Sequence, residues 1–317
     1  MKIYFYAAIS AFIVSFLFCK LLIPILKRVR AGQNILSYVK EHKSKGGTPT
    51  MGGIAFVAAA IAVTAFFLRE RAQTVVLTMA VGLAYMCVGL LDDFLKCRRK
   101  DNLGLRAWQK FAFQACIALL TAFFCVKNGL TGLSIPFTKI VVNIGFWAFP
   151  LIAFVFVATV NAVNLTDGLD GLASAVSIPF FITLGILIAL QGGNDETSVL
   201  CFALVGALAA YLLFNSSPAS VFMGDTGSLS LGGFAACIAS FTGNALYILT
   251  VGVCFVISVV SVIIQVVYFK ATGGRRVFLM APLHHHFQEK GNSETKISYA
   301  YFAVTALIGA VCIALQL

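Results

Sequence analysis

Charge is scarce in this 317-residue chain: 11% of the residues are Asp, Glu, Lys or Arg, against 60% that are hydrophobic. Ordinary soluble domains carry about 25% charge, so that class is excluded. Proline is sparse too, with 7 residues, and so are histidine with 4 and tryptophan with 2. Nine cysteines stand at 19, 87, 97, 116, 125, 201, 237, 254 and 312, none in a paired metal spacing. They read as small buried hydrophobes rather than as a disulfide framework or a zinc site. No repeat of fixed period and no inverted pair of halves is present, which argues against a transporter built from repeats. Nor is there a cleavable signal, because residues 3–26 are too long for a signal core and run into Lys27, Arg28 and Arg30, a stop-transfer pattern.

Long apolar runs are what the chain has instead. Ten predicted spans cover residues 3–26, 51–68, 74–91, 108–126, 143–163, 172–190, 199–214, 228–241, 245–269 and 298–315. The expectation is an all-α polytopic membrane protein forming a single domain over 1–317. Segments 27–50, 92–110 and 270–297 hold 17 of the 23 Lys and Arg. That bias predicts that these loops face the cytoplasm and that both termini lie outside. The net charge of +11 is thus mostly a topology signal, and the same basic loops suit anionic lipid or a phosphorylated substrate, with no nucleic acid expected.

Against this apolar background, five carboxylates stand out: Asp92 and Asp93, Asp167 and Asp170, and Asp225 within Met223-Gly-Asp-Thr-Gly-Ser228. Each closes an apolar run, where a charge costs about 2 to 3 kcal/mol. All five fall on the face predicted to be cytoplasmic. Neighbouring carboxylates such as Asp92 and Asp93 repel by about 3 kcal/mol at an effective dielectric near 20, which a divalent cation or an ammonium relieves. Lys96 stands four residues after Asp92, so a helix continuing past the membrane pairs them. A plain ion pair at a solvated helix end explains that cluster equally well.

Asn164, Asp167 and Asp170 are spaced by three, which predicts one polar side of a helical turn, with Gly168 and Gly171 leaving it open to a ligand. Capping of the next helix by Asn164 or Thr166 is the structural alternative. Around Asp225, glycines and free amides at a helix start suit phosphate oxygens. His284, His285 and His286 are consecutive and diverge by about 100° on a helix, so they do not form a zinc cage. Phosphate contact, proton transfer or turn packing suit them better. Residues 127–140, with Asn128-Gly129 and Thr131-Gly132, suit a surface hairpin.

Five stretches together carry a resemblance: Gly47-Thr-Pro-Thr-Met-Gly-Gly53, Leu91-Asp-Asp-Phe-Leu-Lys96, Asn161-Ala-Val-Asn-Leu-Thr-Asp-Gly-Leu-Asp-Gly171, Phe222-Met-Gly-Asp-Thr-Gly-Ser-Leu229 and Pro282-Leu-His-His-His-Phe287. In this order they resemble the polyprenyl-phosphate N-acetylhexosamine-1-phosphate transferases, over nearly the whole chain. The histidine stretch is similar to the branch that uses UDP-MurNAc-pentapeptide, rather than to siblings using UDP-GlcNAc.

The resemblance implies a ten-span homodimer in the bacterial cytoplasmic membrane, with a cytoplasmic cleft that requires Mg²⁺. It implies transfer of phospho-MurNAc-pentapeptide from its UDP carrier to undecaprenyl phosphate, giving lipid I and UMP. It also implies roles. Asp225 is the first Mg²⁺ ligand with Asp92 or Asp93 beside it, and the remaining carboxylate orients or deprotonates the lipid phosphate. Lys45 and Lys96 meet phosphates, and His284 positions substrate. Thr50, Asn164, Asp167, Asp170, Phe222, Gln265 and His285 lie on the substrate side. An ion-coupled transporter is the rival from another class, and it would need such carboxylates near the bilayer midplane rather than at span ends.

Overall fold

The computed structural model describes residues 2–29, 47–68, 73–99, 104–192 and 195–317. Lys45 therefore lies outside the described residues. Helix α1 (Lys2–Arg28) is followed by α2 (Gly53–Phe67), α3 (Gln73–Arg99) and α4 (Ala107–Lys127), then by a hairpin of β1 (Gly132–Ser134) and β2 (Val141–Asn143). Next come α5 (Ala148–Thr166), α6 (Leu172–Leu190), α7 (Asp195–Asn215), α8 (Gly224–Phe241), α9 (Tyr247–Thr250), α10 (Val253–Ala271), α11 (Leu283–Glu289) and α12 (Glu294–Gln316). The strands pair antiparallel with Leu133 opposite Val142, the hairpin expected from the Asn-Gly and Thr-Gly signals.

Among the described residues, eight helices are long and apolar enough to cross a membrane. The other two predicted spans, α2 and α8, are helical but fall short for different reasons. Helix α2 has 15 residues, about 22 Å of rise, less than the hydrocarbon core of about 30 Å. Helix α8 is rich in glycine and serine, and every residue from Thr226 to Phe241 is buried. Hydropathy reports preference for lipid, whereas α8 is sheathed by protein and needs small residues for close packing instead.

Three further departures from the expected pattern have local causes. The ninth span is broken into α9 and α10 around Val251 and Gly252. Helix α3 runs past the predicted span end to Arg99, so Asp92, Asp93 and Lys96 all lie on helix. The expected stripe of Asn164, Asp167 and Asp170 does not form, because α5 stops at Thr166 and Gly171 takes a left-handed φ of 74°. Only glycine adopts that backbone without strain, and Asp170 Oδ2 accepts from Ala219 N instead.

Helix α8 is the axis of the bundle, with α3 along one side, α5 along another and α2 against a third. A Cβ built on Gly89 of α3 would lie 2.1 Å from the carbonyl oxygen of Asp225, so these two backbones touch. The hairpin occupies the other end of α8, where Ser134 N donates to Gly243 O at 2.8 Å.

Candidate active site

The end of the bundle where α3 and α5 stop and α4 and α8 start collects the polar chemistry. Asp225, in the first turn of α8, is its hub. Its Oδ2 accepts from Lys96 Nζ and Lys110 Nζ, both at 2.8 Å, and its Oδ1 accepts from Asn164 Nδ2 at 2.7 Å. Asn164 Nδ2 also reaches Ser228 Oγ at 2.8 Å, one turn further along α8. Lys96 turns its other side to Asp92 Oδ2 at 2.6 Å, the i,i+4 pair expected from the sequence.

Asp93 has a different setting. It is only 3% exposed, and its oxygens accept from Asp225 N at 3.2 Å, from Thr226 N at 2.9 Å and from Thr226 Oγ1 at 2.6 Å. It thus does for α8 what an N-cap side chain does, from a different helix. A negative charge there also complements the positive end of the α8 dipole. Asp92 Oδ1, for its part, accepts from Leu105 N at 2.6 Å, which holds the chain entering α4.

Oxygens of Asp92, Asp93 and Asp225 lie within 4.8 Å of one another. Hard carboxylate oxygens converging in this way suit a small divalent cation. Three carboxylates against the two ammoniums of Lys96 and Lys110 leave negative charge in excess at the same place, which a cation would offset. The three carboxylates therefore fit a divalent cation.

Lys110 was not singled out in the sequence, where it counted among the topology-setting charges. The signal available was a polar stripe on an apolar helix: Lys110 and Gln114 at i and i+4, matching Asn161 and Asn164 at i and i+3 on α5. The structure joins them, with Lys110 Nζ 3.5 Å from Asn164 Oδ1 and Asn161 Nδ2 donating to Gln114 Oε1 at 2.7 Å. Polar groups facing each other across two apolar helices mark an interior path rather than a lipid surface.

Asp167 is half-buried at the end of α5, and removal from water, reinforced by Asp225, Asp93 and Asp170, holds its carboxyl well above the usual carboxylate range. Asp170 is tied up structurally: its Oδ2 accepts from Ala219 N at 3.0 Å and its backbone N donates to Glu294 Oε2 at 2.8 Å. Glu294 continues to Gln288 and thence to His285 Nδ1, linking α11 to the 167–171 turn. Phe222 N donates to Pro49 O, and Gly52 N to Phe222 O, so the segment carrying Thr50 is strapped to the start of α8. Thr50 Oγ1 lies 2.5 Å from where a Gly224 Cβ would be, beside Asp93. Gln265 stands apart from the aspartates: it donates to Phe278 O and accepts from Val277 N and Phe278 N, each at 3.0 Å, clamping the chain before α11.

The three histidines have three settings. His286 Nδ1 accepts from Leu279 N at 3.1 Å. His284 is fully buried, and neither ring nitrogen has a hydrogen-bond partner among the described residues. Its Nε2 would lie 2.4 Å from a Cβ on Gly168, so His284 and the Asp167 turn press together only because residue 168 is glycine. Burial, with His285 adding, pushes the His284 pKa down to about 3. The folded value lies below the unfolded one of about 6.5, so on acidification the unfolded chain binds the proton first. Stability from this group is complete above about pH 6.5 and is lost as pH falls toward the folded value. In thermal unfolding between about pH 8 and about pH 5, His284→Gln is expected to lose less of its midpoint than the wild type. An equal loss in both proteins would remove His284 from the acid response.

Comparison with known proteins shows the family. The family model for glycosyl transferase family 4 matches residues 74–243, the stretch from α3 to the end of α8. A Listeria monocytogenes serotype 4b (strain CLIP80459) protein named phospho-N-acetylmuramoyl-pentapeptide-transferase is 43% identical over 307 residues, 95% of this chain and 94% of its own length. The protein of that name from Clostridioides difficile (strain 630) is 40% identical over 315 residues, 97% of this chain and 96% of its own length. A third, from Clostridium novyi (strain NT), is 38% identical over 311 residues, 97% of this chain and 95% of its own length.

Proposed function

The chain belongs to the phospho-N-acetylmuramoyl-pentapeptide-transferases of glycosyl transferase family 4, and on that premise we propose how its aspartate-lined end carries out the transfer. The enzyme moves phospho-MurNAc-pentapeptide from UDP-MurNAc-pentapeptide to undecaprenyl phosphate, the lipid I-forming step of peptidoglycan synthesis, and releases UMP. A UDP-sugar is cytosolic and a polyprenyl phosphate is anchored in the bilayer, so the two meet at the inner face of the cytoplasmic membrane. The basic segments 27–50, 92–110 and 270–297 support that orientation, with both termini outside. A homodimer belongs to the same proposal, and the mass of the detergent-solubilised protein tests it.

In the transfer, an oxygen of the lipid phosphate attacks the sugar-bearing phosphorus of the donor. The bond from that phosphorus to the bridging oxygen breaks, and UMP leaves with the electron pair. Both partners are anionic, so charge and alignment decide the rate. The observation that carries the proposal is the interleaving of three carboxylates with two ammoniums at one end of a membrane bundle. Asp225 and Asp92 would hold Mg²⁺, which when bound supplies neutralisation of the diphosphate. Lys96 and Lys110 offer further positive charge to the phosphates, and Asn164 holds Asp225 in register. Asp167, Asp170, Phe222, Thr50, His284 and His285 form the donor side, as does Gln265 through the chain it clamps. Lys45 remains a candidate for phosphate contact.

Asp93 we assign to positioning, because its oxygens are used on α8 amides. Asp93→Asn is then expected to lower both turnover and the unfolding midpoint, since a lost cap costs about 1 kcal/mol or more. Asp92→Asn is expected to cut turnover with a smaller change in midpoint. The reverse pattern would exchange the two roles. A single displacement needs no covalent intermediate, so enzyme incubated with donor labelled on the sugar phosphate is expected to retain no label until undecaprenyl phosphate is added. All label should then appear in the lipid extract, and label fixed on protein would contradict the direct route.

A further inference from the structure

At the end of the bundle away from the aspartates lies a cavity of about 670 Å³, formed between the hairpin, the turn after α8 and the last turns of α6 and α12. Helix α8, with 18 residues and so about 27 Å of rise, separates it from Asp225. The cavity thus belongs to the other face of the membrane. Its lining is rich in neutral hydrogen-bonding groups, among them Thr74, Thr138, Ser240, Thr242 and Gln191, and includes no carboxylate among the described residues. Among the described residues one cation lines it, Lys139, which has no ion pair there.

The wall is braced rather than loose. Gln191 and Asn244 exchange two hydrogen bonds at 3.1 and 2.9 Å, and Gln316 Nε2 donates to Thr138 O at 2.7 Å. Within it, Ser240 is only 3% exposed and its hydroxyl oxygen has no partner among the described residues. A buried hydroxyl without a partner is costly and calls for a ligand that completes it. Beside the lining, Phe146 and Trp147 are both 74% exposed, forming with Ile140 and Val141 an apolar apron at the level where aromatic residues meet a membrane surface.

Cation, hydroxyl and amide groups beside an apolar apron match one amphiphile chemistry: an anionic phosphate, a polyhydroxyl head and acyl chains. We propose that this cavity binds the head group of a phosphatidylglycerol-type lipid from the leaflet opposite the aspartate site. Lys139 takes the phosphate, the hydroxyl and carboxamide groups take the glycerol, and the chains lie over the apron. A choline head fits poorly, because its cation would enter a lining that, among the described residues, has an ammonium and no carboxylate.

The test uses the full-length protein in phosphatidylcholine nanodiscs doped with a phosphatidylglycerol carrying a photoactivatable group in its head. Crosslinks are expected in peptides covering residues 130–141 and 240–243. They should fall about tenfold in Lys139→Ala, the loss of one charge-assisted contact, with UMP release unchanged. Ser240→Leu, which fills the lining, is expected to reduce them as well. Lys139 is exposed, so its variant folds and keeps the test decisive even where Ser240→Leu does not. Equal labelling by a phosphatidylcholine probe, or labelling unchanged in Lys139→Ala, would overturn the proposal. Full displacement by millimolar glycerol phosphate would assign the cavity to a soluble phosphate and overturn the lipid reading.

Discussion

Asp225→Asn is expected to lower UMP release by about three orders of magnitude while the protein still folds, a loss of the size seen when a principal charge-stabilising group is removed. The substitution keeps the shape and leaves an oxygen able to accept from Asn164, but deletes the charge on which Lys96, Lys110 and Asp92 are arranged. Folding survives because both lysines are partly exposed, at 24% and 20%, and can turn to water. The metal assignment has its own readout. Mg²⁺ that binds only the folded state raises the unfolding midpoint, and that rise is expected in the wild type and absent in Asp225→Asn. A retained Mg²⁺ shift in the variant would move the ligand role elsewhere, and near-normal turnover would sink the assignment altogether.

Gly89→Ala is expected to be nearly as damaging although it touches no substrate. The added methyl group would meet the carbonyl oxygen of Asp225 at 2.1 Å and Thr226 N at 2.6 Å, both backbone atoms with no rotamer to escape into. Helices α3 and α8 must separate, and that separation pulls Asp93 off the amides it caps and Lys96 off Asp225. A displacement of about 1 Å at reacting groups costs about a hundredfold in rate, and overpacking costs about 1 to 3 kcal/mol in stability. Turnover and midpoint are therefore expected to fall together. Wild-type turnover in Gly89→Ala would mean that the α3–α8 contact does not set the position of Asp225.

The membrane class, the hairpin and the positions of the eight long apolar helices were legible because each is written in local composition. Helix α8 was legible as a helix but not as what it is, because its glycines and serines serve a protein-lined position that hydropathy does not measure. The ninth span hid its break at Val251 and Gly252, since an apolar run looks alike whether one helix or two. The aspartates were legible as a group because charge is rare in such a chain. Which carboxylate does what was not, since the partners that separate them come from distant segments: Asp93 and Asp170 accept from backbone amides of 226 and 219, whereas Asp92 and Asp225 meet lysine ammoniums. Gln265, placed on the substrate side by the resemblance, binds the backbone at 277 and 278, a contact between segments that no local pattern announces. Lys110 was hidden in a basic loop, and its meaning emerges only when α4 is laid against α5.

The central claim is that one end of this bundle transfers a phospho-sugar from a UDP carrier to a lipid phosphate. The most direct measurement supplies purified protein with Mg²⁺ and undecaprenyl phosphate, then either UDP-MurNAc-pentapeptide or UDP-GlcNAc, and follows UMP. Release with the MurNAc-pentapeptide donor alone, dependent on the lipid and lost in Asp225→Asn, is the predicted result. Release with UDP-GlcNAc alone, or undiminished release in Asp225→Asn, would contradict it.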